Sequence, residues 1–274
     1  MFQSKRKPKG GIASALSIAE LVYHSIVRSV RKQHNNAFMA IAMNILQVVM
    51  FVAVFYLMFT VLGMRGAALR GDFLIYIMSG IFLYLTHIKS IGAIMAAEGP
   101  ASPMMQHAPM NTIIAILSGA LGALYIQLLS LFIVLFAYHV AWTPFEIDQP
   151  FHAFGMLILS WFSGCAIGLV FLAIKPWFPG FVGIASQLYQ RANMIASGKM
   201  FVANTLPTFM LKMFDWNPLF HCIDQARGYA FINYNPRNSN WEYAFWVGVV
   251  LLMIGLMGEF YTRKHASLSW NARR

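Results

Sequence analysis

Charge is scarce in this chain. Only 11% of its 274 residues are charged, and just nine are acidic, where globular proteins carry roughly a quarter. So few charges cannot clothe a soluble core of this size. Cysteine is scarcer still. Cys165 and Cys222 are the only two, which excludes a disulfide scaffold, and both are expected to be unpaired. The eight histidines include no pair at three- or four-residue spacing, so a helix-borne metal site is not expected. A GxSxG elbow is absent, and so is a GxxxxGK[ST] phosphate loop. The Ser197-Gly198-Lys199 run lacks the glycine that such a loop needs five residues earlier. A cofactor bound by this chain is therefore not expected, and any ATP-driven work must draw on another chain.

Apolar residues fill the space instead, at 59% of the chain and a mean hydropathy of +0.60. Disorder is excluded by the same figures. The net charge of +11 would suggest nucleic acid in a soluble protein, but its placement decides otherwise. Residues 1–37 carry seven basic side chains (Lys5, Arg6, Lys7, Lys9, Arg28, Arg31, Lys32) against Glu20. The tail beyond Thr262 adds Arg263, Lys264, Arg273 and Arg274. Two basic ends flank an apolar middle, the pattern of a membrane protein anchored from the cytoplasm.

A bilayer core of about 30 Å takes about 20 helical residues to cross. Six spans are expected, at about 38–62, 73–97, 112–140, 153–174, 181–197 and 241–261. The fifth is weak, because Gln187, Gln190, Arg191 and Asn193 interrupt it. Ahead of them, residues 12–32 repeat apolar positions (Leu16, Ala19, Tyr23, Ile26, Val30) at helical steps, with Arg28 and Arg31 on another face. This predicts an amphipathic helix in the membrane interface; a helix packed on a partner is the alternative. No cleavable signal peptide is expected, since the first long apolar stretch begins near Phe38. Residues 198–240 are too apolar for a solvated loop and too broken by Pro207, Pro218 and Pro236 for a span, so short half-buried or re-entrant helices are predicted.

The fold class is thus an all-α integral membrane protein. Its parts are a cytoplasmic tail with an interfacial helix (1–37), a six-helix transmembrane domain (38–262) and a basic tail (263–274). With six crossings both ends share one side. Twelve Lys and Arg then fall on that side against six opposite, which makes it the cytoplasm. The turn at 98–111 would face inward. It carries Pro100, Pro103 and Pro109 without Lys or Arg, and reads either as a docking turn for another protein or as a plain connector.

Arg191 draws most attention. A charge at mid-membrane depth costs about 2.5–3.5 kcal/mol on insertion scales, so it should meet protein, water or headgroups. With Gln187, Tyr189 and Gln190 it either lines a hydrophilic conduit or snorkels to the interface. Lys89 poses the same choice. Tyr76 and Tyr84, among other span aromatics, either stack on sugar rings or pack against lipid and neighbours. Gly164-Cys165-Ala166-Ile167-Gly168 is a small-xxx-small pattern for close helix approach, within the chain or between protomers. His221, Asp224 and Arg227 fall at three-residue steps on one helical face. They serve either as a structural polar turn or as the core of a membrane enzyme acting on lipid-linked sugars.

The order of elements, together with the run Asn217-Pro218-Leu219-Phe220-His221-Cys222-Ile223-Asp224-Gln225-Ala226-Arg227, resembles the membrane subunit of type-2 ABC exporters. Within these it is most similar to the permeases that export capsule polysaccharide or O-antigen. Ser197-Gly198, Phe201 and Leu206-Pro207 fit the same pattern upstream. Lys199, Asp224 and Cys222 depart from it, where the family has an apolar or aromatic residue, a glutamate and a small residue. At the level of motifs the resemblance covers about residues 185–230, and through topology nearly the whole chain.

What it implies is a permease in the bacterial inner membrane, without enzymatic activity of its own, that exports capsular or related polysaccharide. It implies a homodimer. A cytosolic ATP-binding subunit would meet the interfacial helix and the 98–111 turn, with Glu98, Pro103, Gln106 and His107 as contact candidates. Conduit candidates are Tyr76, Tyr84, Gln187, Tyr189, Gln190 and Arg191. Gate candidates in the re-entrant helices are Asn217, Pro218, His221, Asp224 and Arg227. Periplasmic and outer-membrane export proteins would receive the glycan. Alternatives are export of a lipid, a drug or a teichoic-acid-like polymer on the same fold.

Overall fold

A computed structural model describes residues 20, 22–27, 37–61, 63, 72–97 and 112–265. All regular elements among them are helical. We number them α1 (Ala37–Val61), α2 (Phe73–Met95), α3 (Thr112–Ala141), α4 (Pro150–Ile174), α5 (Pro179–Ala196), α6 (Thr208–Phe214), α7 (Pro218–Ala230) and α8 (Trp241–His265), with a 3-10 turn at Ala203–Thr205. The helix expected at 12–32 is described only in part, and residues 22–27 are helical. The 98–111 turn, with Glu98, Pro103, Gln106 and His107, lies outside the described residues, as do the outermost tails.

Start signals are written into the sequence. Asp72 caps α2, its Oδ1 accepting from the Leu74 amide at 2.9 Å, and Asn217 caps α7 by accepting from the Leu219 amide at 3.1 Å. Proline opens α4, α5 and α7, where its missing N–H costs no helical bond. Asp72 also accepts from the Tyr138 and Thr143 hydroxyls, joining the start of α2 to the end of α3. At the other end of α2, the Lys175 ammonium donates to the Met95 carbonyl at 2.9 Å, a cation set against a helix C-terminus.

Five helices, α1, α2, α3, α4 and α8, are long and apolar enough to cross a membrane. α5 is a helix of 18 residues, but its polar side chains keep it out of that group. α2 is the central post: 78% of its most apolar stretch is buried, against 28% for α1 and 22% for α8. The outer faces of those two carry exposed Leu46, Met50, Leu57, Val250 and Met257, an apolar surface that water would not tolerate and lipid would.

α4 packs against both α2 and α8. The small-residue stripe supplies the approach to α2. A Cβ on Gly164 would meet the His87 carbonyl oxygen at 2.5 Å, and one on Gly168 would meet Ile91 Cα at 3.0 Å. The stripe is therefore covered by α2 of the same chain. Cys165 and Cys222 are both free and buried.

The 198–240 segment forms two short helices between its prolines. α6 sits near the surface. α7, by contrast, is buried from Pro218 through Arg227 and packs on α2, α4 and α8.

Candidate functional site

A helix as polar as α7 is stable in an apolar bundle only if most of its polar groups find partners. Arg227 is 1% exposed. Its Nη1 donates to the Gly198 and Phe201 carbonyls at 2.8 and 2.7 Å, and its Nη2 to the Lys199 carbonyl at 2.8 Å. The guanidinium lies over the Tyr76 ring, 4.2 Å from its centroid, a cation–π contact. Gly80 on α2 leaves the room, since a Cβ there would meet Arg227 Nη2 at 2.8 Å and Lys199 Cα at 2.9 Å. Gly198 takes a left-handed φ of +77°, a conformation that glycine adopts without strain. Arg227 thus ties α7 to the turn that follows α5.

The other polar groups of α7 are satisfied separately. Asp224 accepts from the Tyr234 hydroxyl, and from Ser239 Oγ at 2.7 Å. His221 Nε2 donates to the Asp215 carbonyl at 2.5 Å, while its Nδ1 accepts from the Asn240 amide at 3.0 Å. Burial pushes the His221 imidazole below its ordinary range, with the Asp215 carbonyl opposing. Asn217 Nδ2 donates to Asn193 Oδ1 at 2.8 Å and to the Ala196 carbonyl at 3.0 Å. His221, Asp224 and Arg227 share a helix, yet each reaches a different partner, and the three do not converge on one point.

Lys199 is 3% exposed, and its ammonium has no hydrogen-bond partner. Three rings surround it instead. Nζ lies 3.5 Å from the Tyr84 centroid and 5.2 Å from those of Phe51 and Phe55. Burial pushes this ammonium down to about 7, because a charge out of water is costly. The ring faces oppose that by favouring the cation.

Hydrogen bonds tie α5 to the bundle. His87 is completely buried. Its Nδ1 faces the Ser160 carbonyl at 3.1 Å, which only accepts, so Nδ1 carries the proton. Nε2 then accepts from the Tyr189 hydroxyl at 2.9 Å. Tyr84 donates to the Gln190 carbonyl at 3.3 Å.

The conduit candidates therefore divide. Tyr76, Tyr84 and Tyr189 point into the bundle, under Arg227, under Lys199 and onto His87. Gln187 and Arg191 are exposed on the outward face of α5, among Ile184, Leu188 and Ile195. Of the gate candidates, Asn217 and Arg227 meet α5 and the turn that follows it, whereas His221 and Asp224 bond within residues 215–240. Sequence reasoning missed His87, Gly80 and the Lys199 aromatic box. Lys199 stood out only as a departure from a pattern, and that departure was the available signal. Among the described residues no group of three His, Cys, Asp or Glu side chains is placed to hold a metal ion.

The class these features define is a helical membrane protein with a buried polar joint. No protein-family model matches the chain, and no curated protein matches it.

Proposed function

We infer that this chain is the permease subunit of an ATP-driven exporter of the type-2 ABC class, moving capsular or related polysaccharide out across a bacterial inner membrane. The observation that carries the reading is the joint at Arg227. The two runs on which the resemblance rests, around 197–201 and 217–227, are separate in sequence, and Arg227 binds one to the other. On this reading α5 is the fifth of six crossings. Its 18 residues span about 27 Å at 1.5 Å per residue, close to the hydrocarbon thickness. Both termini then share the cytoplasm.

A hydrated polymer does not enter hydrocarbon unless polar groups replace its water. The outward face of α5 offers Gln187 and Arg191 for that purpose. A second copy of the chain facing it would enclose a polar route and keep Arg191 off lipid. α6 and α7 would close the outer end. The hydrogen bonds that hold α5 to His87, Tyr84 and Asn217 are ones water or sugar hydroxyls can replace, which would ease a shift of the helix. A cytosolic ATP-binding subunit supplies the power through the interfacial helix and the 98–111 turn.

Deleting the chain is expected to abolish surface glycan, and the wild-type chain to restore it. Arg191→Ala, which leaves the buried side of α5 intact, should assemble normally but export at least about tenfold less, as the loss of one charge-assisted contact implies. Normal surface glycan after deletion would refute the reading.

A further inference from the structure

Amide side chains are costly in an apolar span, yet α1 and α3 carry several that meet. Asn44 Nδ2 donates to Ser130 Oγ at 2.8 Å, and Gln127 Nε2 donates to Asn44 Oδ1 at 3.0 Å. The set leaves one acceptor over: Gln127 is 2% exposed, and its Oε1 has no hydrogen-bond partner. Gln127 lines a cavity of about 440 Å³ shared by α1, α2 and α3, within the size range of ligand pockets. Lys89 from α2 lines it too, and no acid does.

The cavity has a definite depth. It takes residues 40–50 from α1, chiefly its first half, and 123–127 from the middle of α3. Lys89 sits six residues before the end of α2, about 9 Å along the axis. The α1 and α2 positions place it toward one end of the bundle, within reach of headgroups for a side chain as long as lysine. Beside Asn44 and Gln47, its α1 wall carries an apolar strip that faces outward: Met43, Leu46 and Met50 are 47%, 53% and 57% exposed. Ile26, in the helical stretch before α1, packs on Ala40 and Ile126 beside it.

We propose that this cavity is a binding site for an anionic glycerophospholipid with a hydroxyl-bearing head, of the phosphatidylglycerol type. The phosphodiester oxygens meet the Lys89 ammonium, a headgroup hydroxyl donates to Gln127 Oε1, and an acyl chain runs along Met43, Leu46 and Met50. A free phosphate would leave that apolar wall unused. A choline head has no N–H or O–H to give Gln127, and its positive charge would sit beside Lys89. The site needs only that α1, α2 and α3 cross a bilayer, and stands or falls apart from the exporter reading.

Native mass spectrometry of the purified full chain, with dioleoyl lipids of different heads, tests it. Wild type should retain phosphatidylglycerol about tenfold better than phosphatidylcholine, the scale of one charge-assisted hydrogen bond. Lys89→Gln should erase that preference, and Lys89→Arg should keep most of it. Phosphatidylethanol has the same charge without the hydroxyl. It should bind wild type more weakly than phosphatidylglycerol, and Gln127→Leu should remove that difference. Lys89 is exposed, so its variants fold whether or not the buried Gln127 tolerates change. Equal retention of phosphatidylglycerol and phosphatidylcholine by wild type, or an unchanged preference in Lys89→Gln, would overturn the proposal. Equal retention of phosphatidylglycerol and phosphatidylethanol by wild type would overturn the role given to Gln127.

Discussion

Replacing Arg227 by alanine is expected to unmake the joint between α5 and α7. Three carbonyls, those of Gly198, Lys199 and Phe201, accept hydrogen bonds from this one guanidinium, and the joint around it is closed to solvent. A buried acceptor left unmatched costs about 1–3 kcal/mol; the Gly198 carbonyl keeps the Phe201 amide at 3.3 Å, so the carbonyls of Lys199 and Phe201 together cost about 2 kcal/mol at the least. The emptied volume beside Tyr76 and Gly80 adds to the loss. Arg227→Lys should recover less than half. A lysine brings one point of charge where the guanidinium fork serves three carbonyls, and it lacks the flat face that stacks on Tyr76. Thermal denaturation in detergent, followed by the loss of monodisperse protein, measures both variants. A melting curve for Arg227→Ala that overlays wild type would mean that water or another donor already serves those carbonyls.

Gly164→Ala should come close behind, for a steric reason. The added methyl would lie 2.5 Å from the His87 carbonyl oxygen and 3.1 Å from its carbonyl carbon and Cα. These are backbone atoms of a central helix, and they cannot swing aside. α2 and α4 must part, which stretches the contacts of His87 Nδ1 to the Ser160 carbonyl and Ser163 Oγ and the bond from Ser160 Oγ to the Leu83 carbonyl. Overpacking of this kind costs about 1–3 kcal/mol, and the lost hydrogen bonds bring the total toward the upper end. Gly183→Ala is the internal control. Nothing lies within 4 Å of a Cβ there, and alanine favours a helix over glycine by about 0.5–1 kcal/mol, so that variant should hold or gain stability. Equal melting of the two variants would show that α2 and α4 are not packed as described.

The lengths and ends of the helices were written plainly in the sequence. Apolar runs bounded by Asp72, Pro150 and Pro179 become helices that begin within three residues of the expected positions, because caps and prolines act locally. The helix at 179–196 was also legible, and the side chains that weakened it as a span are the ones that leave it outside the apolar five. Which face meets which neighbour was not legible. In α3 and α4 nearly every position is apolar, so no stripe marks the buried side, and the partner of Gly164-Cys165-Ala166-Ile167-Gly168 could not be chosen between α2 and another protomer. Long-range pairings were hidden for the same reason. Nothing near His87 announces Tyr189, 102 residues away, and nothing near Lys199 announces Phe51, Phe55 and Tyr84. The conduit set was read as one polar and aromatic group, but helical geometry divides it. Tyr189 and Asn193 face inward and Gln187 and Arg191 outward on the same helix, since a two-residue step turns about 200°.

As an exporter subunit the chain would make six crossings and return to the side on which it began, where a companion would drive it. Cysteines placed singly near position 5 and near position 270 would be labelled in intact cells with a membrane-impermeant maleimide; Cys165 and Cys222, both buried, stay silent. The account predicts that both ends react only after the inner face is exposed, while a cysteine at Glu146 reacts from outside. Labelling that finds the two ends on opposite faces would contradict it.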